Sequence, residues 1–321
     1  MPESPSQAAR LFENAFANAP IGMALVSLDG QFLKVNQSAC QLLGYPEPEL
    51  LRQTFAELTH PDDLDADLHE RRRLLAGEIE RYTQPKRYVR KDGDHVWASL
   101  SVSLVRDDQG QPVHFISQIV DISDRRRLEL ALQHLADHDH LTELYNRRAF
   151  EHQLQRQIAQ CQRRAAPPAA LLLVDLDGFK LVNDTHGHAV GDELLVAIAN
   201  TLRRRLRTSD CIARIGGDEF AIILSDTTAP QAAGVAEDVA AEVARTWVTV
   251  GVRDGRARDG KGRGEGGRGV AVSASVGVTS LDEHTSGERA ALAAADRAMY
   301  DIKHAAGSPR AAELTWGPPT L

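Results

Sequence analysis

The sequence predicts two domains of mixed α and β structure: an antiparallel sheet with small helices, then a longer α/β unit, joined by a helix. Three observations carry this. The chain has 321 residues, about twice the usual length of one domain. Between Glu80 and Asp121 apolar and polar residues alternate over long runs, as in half-buried strands. Beyond residue 138 short apolar runs alternate with stretches of helical period, the order of an α/β fold.

Composition sets the class. With 42% hydrophobic and 26% charged residues, the chain lies in the range of globular proteins. Its net charge of -8, from 37 basic and 45 acidic residues, argues against a nucleic-acid-coating protein, which needs a basic excess. Cys40, Cys161 and Cys211 are odd in number and far apart, so neither a disulfide framework nor a zinc cluster is expected. No apolar run approaches the roughly 20 residues of a membrane span, and the N-terminus lacks the basic and apolar regions of a signal peptide. The expectation is a cytoplasmic protein with no membrane and no nucleic-acid partner.

Residues 1–10 are expected to be disordered. Leu11, Phe12, Ala15, Phe16 and Ala19 then recur at helical spacing up to Pro20. Ile21 to Ser27 and Gln31 to Asn36 flank Asp29-Gly30 and read as a hairpin. Helical turns from Ser38 to Gly77 are broken at Pro46, Pro48 and Pro61, and three strands follow: Tyr82 to Arg90, His95 to Arg106 and Pro112 to Asp121. This order, with Asn36, His60-Pro61-Asp62-Asp63, Arg90-Lys91-Asp92-Gly93, Trp97 and Val120-Asp121-Ile122-Ser123-Asp124-Arg125, resembles a PAS sensory domain over residues 11–124. Cys40 lacks the context of a photosensory flavin site and His69 lies among charged residues, so no PAS ligand is named.

Residues 125–137 form a helical signalling linker, with Leu128, Leu132 and Leu135 at the spacing of a seam between paired helices. Residues 138–310 form the α/β domain and 311–321 a tail. Helices are expected at 147–164, 191–207, 229–247 and 287–303, and strands at 169–175, 211–215, 220–225 and 270–279. The Gly/Arg-rich stretch 251–269 reads as a flexible hairpin insertion. Its Gly262, Gly264 and Gly267 fit a dinucleotide fingerprint but neither follow a strand nor open a helix.

The chemistry concentrates at two places. Asp175 ends an apolar strand and Lys180 follows five positions on; Gly216-Gly217-Asp218-Glu219 sets a tight turn and two carboxylates between two strands. If the strands adjoin, Asp175, Asp218, Glu219 and the Leu176 carbonyl offer hard oxygens to one Mg²⁺, with Mn²⁺ as the alternative ion. That donor set suits nucleotidyl transfer from a triphosphate. No Walker A sequence is present.

These residues resemble the GGDEF family of diguanylate cyclases. The matches are Asp139 to Arg148, Asp175 to Lys180, Asn183-Asp184, Gly187-His188, Gly191-Asp192, Gly216 to Phe220, Ser275 to Val278, Ala295-Asp296, Met299-Tyr300 and Lys303. The resemblance implies a palm-like domain that condenses two GTP into cyclic di-GMP and two pyrophosphates. Asp175, the Leu176 carbonyl, Asp218 and Glu219 would hold the metal, and Asp218 would also act as base. Lys180 joins Asp218 and Glu219 in the catalytic set. Gly178, Phe179, Lys180 and Lys303 would bind phosphates, Gly216 and Gly217 would admit the nucleotide, and Asn183 with Asp192 would read guanine. Each site holds one GTP, so a homodimer is implied. Arg207 and Asp210 match the family's product-inhibitory site, where cyclic di-GMP binds.

Two departures stand out. After Lys303 the usual Gly-Arg is replaced by His304-Ala305-Ala306, with Arg310 displaced downstream, and the 251–269 insertion is long. Asp177 is read as structural, turned away from Asp175. The alternative to an active cyclase is a catalytically silent receptor of cyclic di-GMP, or a signalling scaffold.

Overall fold

The computed structural model describes residues 5–163, 167–250 and 268–305. The chain divides into two compact units between Leu132 and Gln133.

The first unit opens with α1 (Pro5–Ala17), so the helix reaches back into the stretch expected to be disordered; Ala8, Ala9 and Arg10 are strong helix formers. The hairpin β1 (Gly22–Ser27) and β2 (Phe32–Val35) follows, then α2 (Gln37–Leu43), α3 (Glu47–Leu50) and α4 (Pro61–Ala76). Strands β3 (Arg81–Val89), β4 (His95–Arg106) and β5 (Pro112–Asp121) complete an antiparallel sheet of order β2-β1-β5-β4-β3. Along β4, Val96, Ala98, Leu100 and Val102 are buried at every second position, the face that packs beneath the small helices.

Asn36 holds the entry of this unit together. Its Oδ1 accepts from the Ala39 and Met23 N–H groups, each at 2.9 Å, and its Nδ2 donates to the Phe16 and Ile21 carbonyls. One buried amide thus caps α2 and ties it to β1 and to the end of α1. At the exit, the Trp97 ring lies between Arg87, 5.4 Å away, and Arg126, 3.9 Å away. Arg126 belongs to α5 (Ser123–Asp137), so this cation–π stack fixes the start of the linker on the sheet.

The second unit is built on a four-stranded sheet of order β11-β6-β8-β7, every pair antiparallel: β6 (Ala169–Asp177), β7 (Cys211–Arg214), β8 (Glu219–Leu224) and β11 (Ser273–Leu281). The run Ala169 to Val174 does not alternate because β6 is central and covered on both faces. Ala170, Leu172 and Val174 join the core with α7 (Phe179–His186), α8 (His188–Arg205) and α9 (Ala229–Arg245). Ala169, Leu171 and Leu173 join the core with α6 (Arg147–Cys161) and α10 (Glu288–Ala305). Each buried leucine contributes about 1.5–3 kcal/mol. Gly277 is where α10 approaches the sheet: a Cβ there would lie 2.2 Å from the Ala295 carbonyl oxygen and 2.4 Å from the Met299 nitrogen.

The structure corrects the sequence reading of the second unit as well, and the strand expected at 270–279 is divided between β10 (Arg268–Ala271) and β11, which belong to different sheets. Strand β6 continues to Asp177. Residues 179–186, read as a loop, are helix α7, and α8 begins at His188 rather than Gly191. Asn183, Asp184, Thr185 and His186 are weak helix formers, but Phe179 and Val182 at i, i+3 are buried in the core and override them. Trp247, at the end of the helix expected over 229–247, instead opens β9 (Trp247–Val250), paired antiparallel with β10 (Arg268–Ala271). The insertion is therefore closed by a two-stranded ladder; residues 251–267, the tail 311–321 and Arg310 lie outside the described residues.

Candidate active site

The site forms where β6 and β8 end together. Asp175 and Glu219 are register partners across these strands, and Ser275 faces Asp175 from β11. Opposed strand residues share a face, so both carboxylates lie on the side covered by α10. From that helix Lys303 sends Nζ to 2.6 Å from Asp175 Oδ1. The hydrogen bond to Asp175 raises the Lys303 pKa against the opposing effect of burial, and Asp177 and Asp218 add attraction.

Asp218 follows the glycine turn. Its carbonyl accepts the Leu176 N–H at 3.2 Å, and the Glu219 carbonyl accepts the Ile215 N–H at 3.0 Å. The turn is thereby pinned to the end of β6, beside Asp175 and Leu176. Asp177 departs from expectation. A strand period of two puts it on the same face as Asp175, with Leu176 buried on the other. It is structural because its carboxylate accepts from the Ser273 and Ser275 hydroxyls, at 3.0 and 2.9 Å.

A hard divalent cation fits the chemistry of these oxygen donors. Among the described residues no three carboxylate, histidine or cysteine groups converge on one point; the charge on Asp175 is balanced by Lys303. Asp175, Asp218 and Glu219 are the side chains that would hold the ion, with Lys303 moving off Asp175.

Left-handed Gly178 (φ 73°) turns the chain from β6 into α7. Phe179 is buried while Lys180 is exposed, and their N–H groups lie in the first helical turn, where a helix supplies no acceptors. One turn on, Asn183 Oδ1 is buried without a hydrogen-bond partner. It lies against Gly191, where a Cβ would stand 1.9 Å away, so glycine there leaves room for the amide. The adjoining Asp192 is exposed on α8.

The sequence reading gave no role to the residues that brace the turn. Arg214 donates from Nη2 and Nε to the Gly217 carbonyl, at 2.8 and 3.2 Å, and from Nη1 to Asp139 Oδ1 at 3.1 Å. Burial alone would raise the Asp139 carboxyl, but hydrogen bonds from Thr142 and Arg214 outweigh it and hold the pKa below the usual range. Arg147 Nε reaches the Ile215 carbonyl at 3.2 Å. Its Glu219-side groove, about 270 Å³, also takes in Asp296 and Met299. The signal for Arg214 was its place three residues before Gly217, but only folding brings Asp139 to it.

Away from this end, Arg207 and Asp210 close a turn after α8: the Arg207 N–H donates to Asp210 Oδ2 at 2.9 Å. They line a groove of about 330 Å³ with Arg205, Asp226, Gln231 and Asp238. Arg205 and Asp238 form an ion pair across it.

The family model "Diguanylate cyclase, GGDEF domain" matches residues 136–308, and "PAS fold" matches residues 32–119. The chain belongs to the GGDEF diguanylate cyclase family and carries a PAS domain ahead of the GGDEF domain. "Diguanylate cyclase DgcM" of Escherichia coli is 32% identical over 238 residues, covering 72% of this chain and 55% of that protein. "Probable diguanylate cyclase DgcE" of E. coli is 48% identical over 126 residues, covering 39% of this chain and 11% of that protein. The chain thus spans between 11% and 55% of the length of these two relatives. Among solved structures, the coiled coil and GGDEF domain of DgcB from Caulobacter crescentus, in complex with c-di-GMP, is similar at 28% identity. It covers 57% of this chain and 88% of that one with a TM-score of 0.48. Among the described residues no helix is long and apolar enough to cross a membrane.

Proposed function

We propose that this protein is an active, Mg²⁺-dependent diguanylate cyclase that condenses two GTP into cyclic di-GMP and two pyrophosphates. The observation that carries the reading is the register pairing of Asp175 with Glu219 at the shared end of β6 and β8, with Asp218 tied by its carbonyl to Leu176 and Lys303 bonded to Asp175, beside the start of α7. Mg²⁺, when bound, supplies charge stabilisation to the triphosphate and the leaving pyrophosphate. Asp218 accepts the proton of the attacking 3′-hydroxyl. Lys180 and Lys303 neutralise phosphate oxygens, and the N–H groups of Phe179 and Lys180 orient them. Gly216 and Gly217 leave the approach open. The unpartnered Asn183 amide and the Asp192 carboxylate match the donor and acceptor edge of guanine.

The 3′-hydroxyl attacking one GTP comes from a GTP held by a second copy, so the working unit is a homodimer. Leu128, Leu132 and Leu135 support this reading: they are 65, 66 and 69% exposed along one stripe of α5, an apolar seam suited to a partner helix. Leu130, outside that spacing, is exposed as well. Cyclic di-GMP inhibits by binding at Arg207 and Asp210, where a guanidinium can pair with guanine O6 and N7. The PAS domain regulates the output, and the cytoplasm, where GTP is available, is the place of action.

The test is incubation of the protein, stripped of bound cyclic di-GMP, with GTP and Mg²⁺ beside Asp218→Ala. Cyclic di-GMP and pyrophosphate from the wild type alone support the cyclase. No product from stripped wild type, with retained cyclic di-GMP binding, would instead identify a silent receptor.

A further inference from the structure

Among the described residues, two that are not glycine hold a positive φ: Asp226 at 50° and Glu143 at 58°. Aspartate visits that region because its short side chain can bond the local backbone, whereas a longer side chain adopts it only where the surroundings impose it. What adjoins Glu143 is the end of the linker helix. Its Oε2 lies 3.5 Å from Nε2 of His134, in the last turn of α5. The His134 ring stacks on His138 at 3.9 Å, and His138 stacks on Tyr145 at 4.9 Å.

The backbone where α5 ends is already capped. Asn146 Nδ2 and Arg148 Nη2 donate to the Ala136 carbonyl, at 2.7 and 3.0 Å, and the Asn146 N–H donates to the Asp137 carbonyl. Glu143 extends that grip further back along the helix, to His134. The same turn also reaches the catalytic loop. The Glu143 N–H donates to the Asp139 carbonyl at 2.8 Å, and Tyr145 is hydrogen-bonded through its backbone to Ile212 and Arg214 of β7. The Asp139 carboxylate holds Arg214, whose guanidinium holds the Gly217 carbonyl. The turn 139–145 therefore joins the end of α5 to the turn that precedes Asp218.

As a stabilising device the pair is weak. The His134 and Glu143 side chains are 51 and 58% exposed, and exposed ion pairs contribute little, less than a left-handed glutamate costs. Glycine would take this φ without strain, so what the glutamate adds is its carboxylate. We infer that Glu143 is a positioning residue for the cyclase reaction: its carboxylate pairs with protonated His134 and steadies the 139–145 turn, and through Asp139 and Arg214 it steadies the turn that carries Asp218 and Glu219. The inference rests on the cyclase reading. Because an imidazole changes charge between about pH 5 and 8, the contact is an ion pair only on the acid side of that range. The other charged groups around it are matched among themselves, Asp137 with Arg148 and Asp139 with Arg214, and Arg147 is turned to the Ile215 carbonyl. His138 and Tyr145 complete the column of rings, and His140 is exposed on the turn.

The full chain, stripped of cyclic di-GMP, is assayed across GTP concentrations at about pH 6 and about pH 8.5, either side of the imidazole range, beside Glu143→Gly, His134→Gln and the double variant. A pair can shift the placement of the turn only by its own free energy. At the lower pH each single variant should therefore show a kcat about three- to fivefold below wild type, with the KM for GTP unchanged because α7 and Lys303 are untouched. At the higher pH the difference should close. The double variant should lose no more than either single one. Glu143→Gly should keep or raise the urea midpoint of the GGDEF transition, since glycine relieves the strain; a lower midpoint would make Glu143 a structural residue and overturn the assignment. Equal kcat for wild type and Glu143→Gly at the lower pH, a deficit of the same size at both pH values, or losses that add in the double variant would overturn it as well. In each of those cases the wild type still makes product. A stripped wild type that makes none would overturn the cyclase reading, and this inference with it.

Discussion

Lys303 and Asp175, 128 positions apart in the chain, meet at 2.6 Å at the end of the central strand. The contact places one ammonium among the carboxylates that the GGDEF turn and β6 gather, and it lowers their mutual repulsion. The proposed function assigns the same ammonium to the phosphates of GTP. Lys303→Met should raise the KM for GTP about tenfold or more, the loss of one charge-assisted contact worth roughly 1.5–3 kcal/mol. Initial rates across GTP concentrations check this; an unchanged KM would remove Lys303 from phosphate binding.

Asp139 and Arg214 hold the Gly217 carbonyl as one unit. Asp139→Asn and Arg214→Met should each destabilise the GGDEF domain and lower turnover. The double variant should lose about 1–3 kcal/mol less than the sum, as read in urea unfolding. Because the Asp139 pKa is depressed by folding, its contribution is present above the ordinary carboxylate range and is lost as pH falls below it.

Arg207→Ala should weaken product inhibition without lowering the initial rate. Removing a bidentate guanidinium contact costs about 1–3 kcal/mol, so the inhibition constant for cyclic di-GMP should rise roughly 5-fold to 150-fold. An inhibition curve identical to the wild type would place the product elsewhere.

In the PAS domain, the Arg87 hydrogen bonds to Asp63 lower its pKa to about 2, outweighing burial. An unfolded aspartate titrates near 3.9. The stabilisation is therefore complete above about pH 4 and disappears as pH falls through about 2. Asp63→Asn should cost about 1–2 kcal/mol at pH 7, allowing for partial solvent screening, and its urea midpoint should change less than the wild type's between pH 4 and 2.

Gly277→Ala should strongly weaken the GGDEF domain, by about 1–3 kcal/mol, because the new methyl group meets backbone of α10 rather than a side chain that can turn away. Thermal unfolding of the purified variant measures it.

The amino-acid sequence determined the two domains, the hairpin at Asp29-Gly30, the covered central strand and the motif residues, because each rests on local chemistry: turn glycines, prolines, and the period of apolar positions. It also made Asp175, Asp218 and Glu219 candidates for one site on the condition that their strands adjoin, and the pairing of β6 with β8 meets that condition. Tertiary structure alone decided helix α7, whose polar second half forms only because Phe179 and Val182 are buried. It alone decided the Lys303–Asp175 and Asp139–Arg214 contacts, made between residues 128 and 75 positions apart. The sequence likewise could not show that Asp67 is filled by Lys86, Tyr82 and Gln84. Pairing of charges in a core is set by which side chains reach the same few cubic ångströms, and that depends on how strands and helices pack.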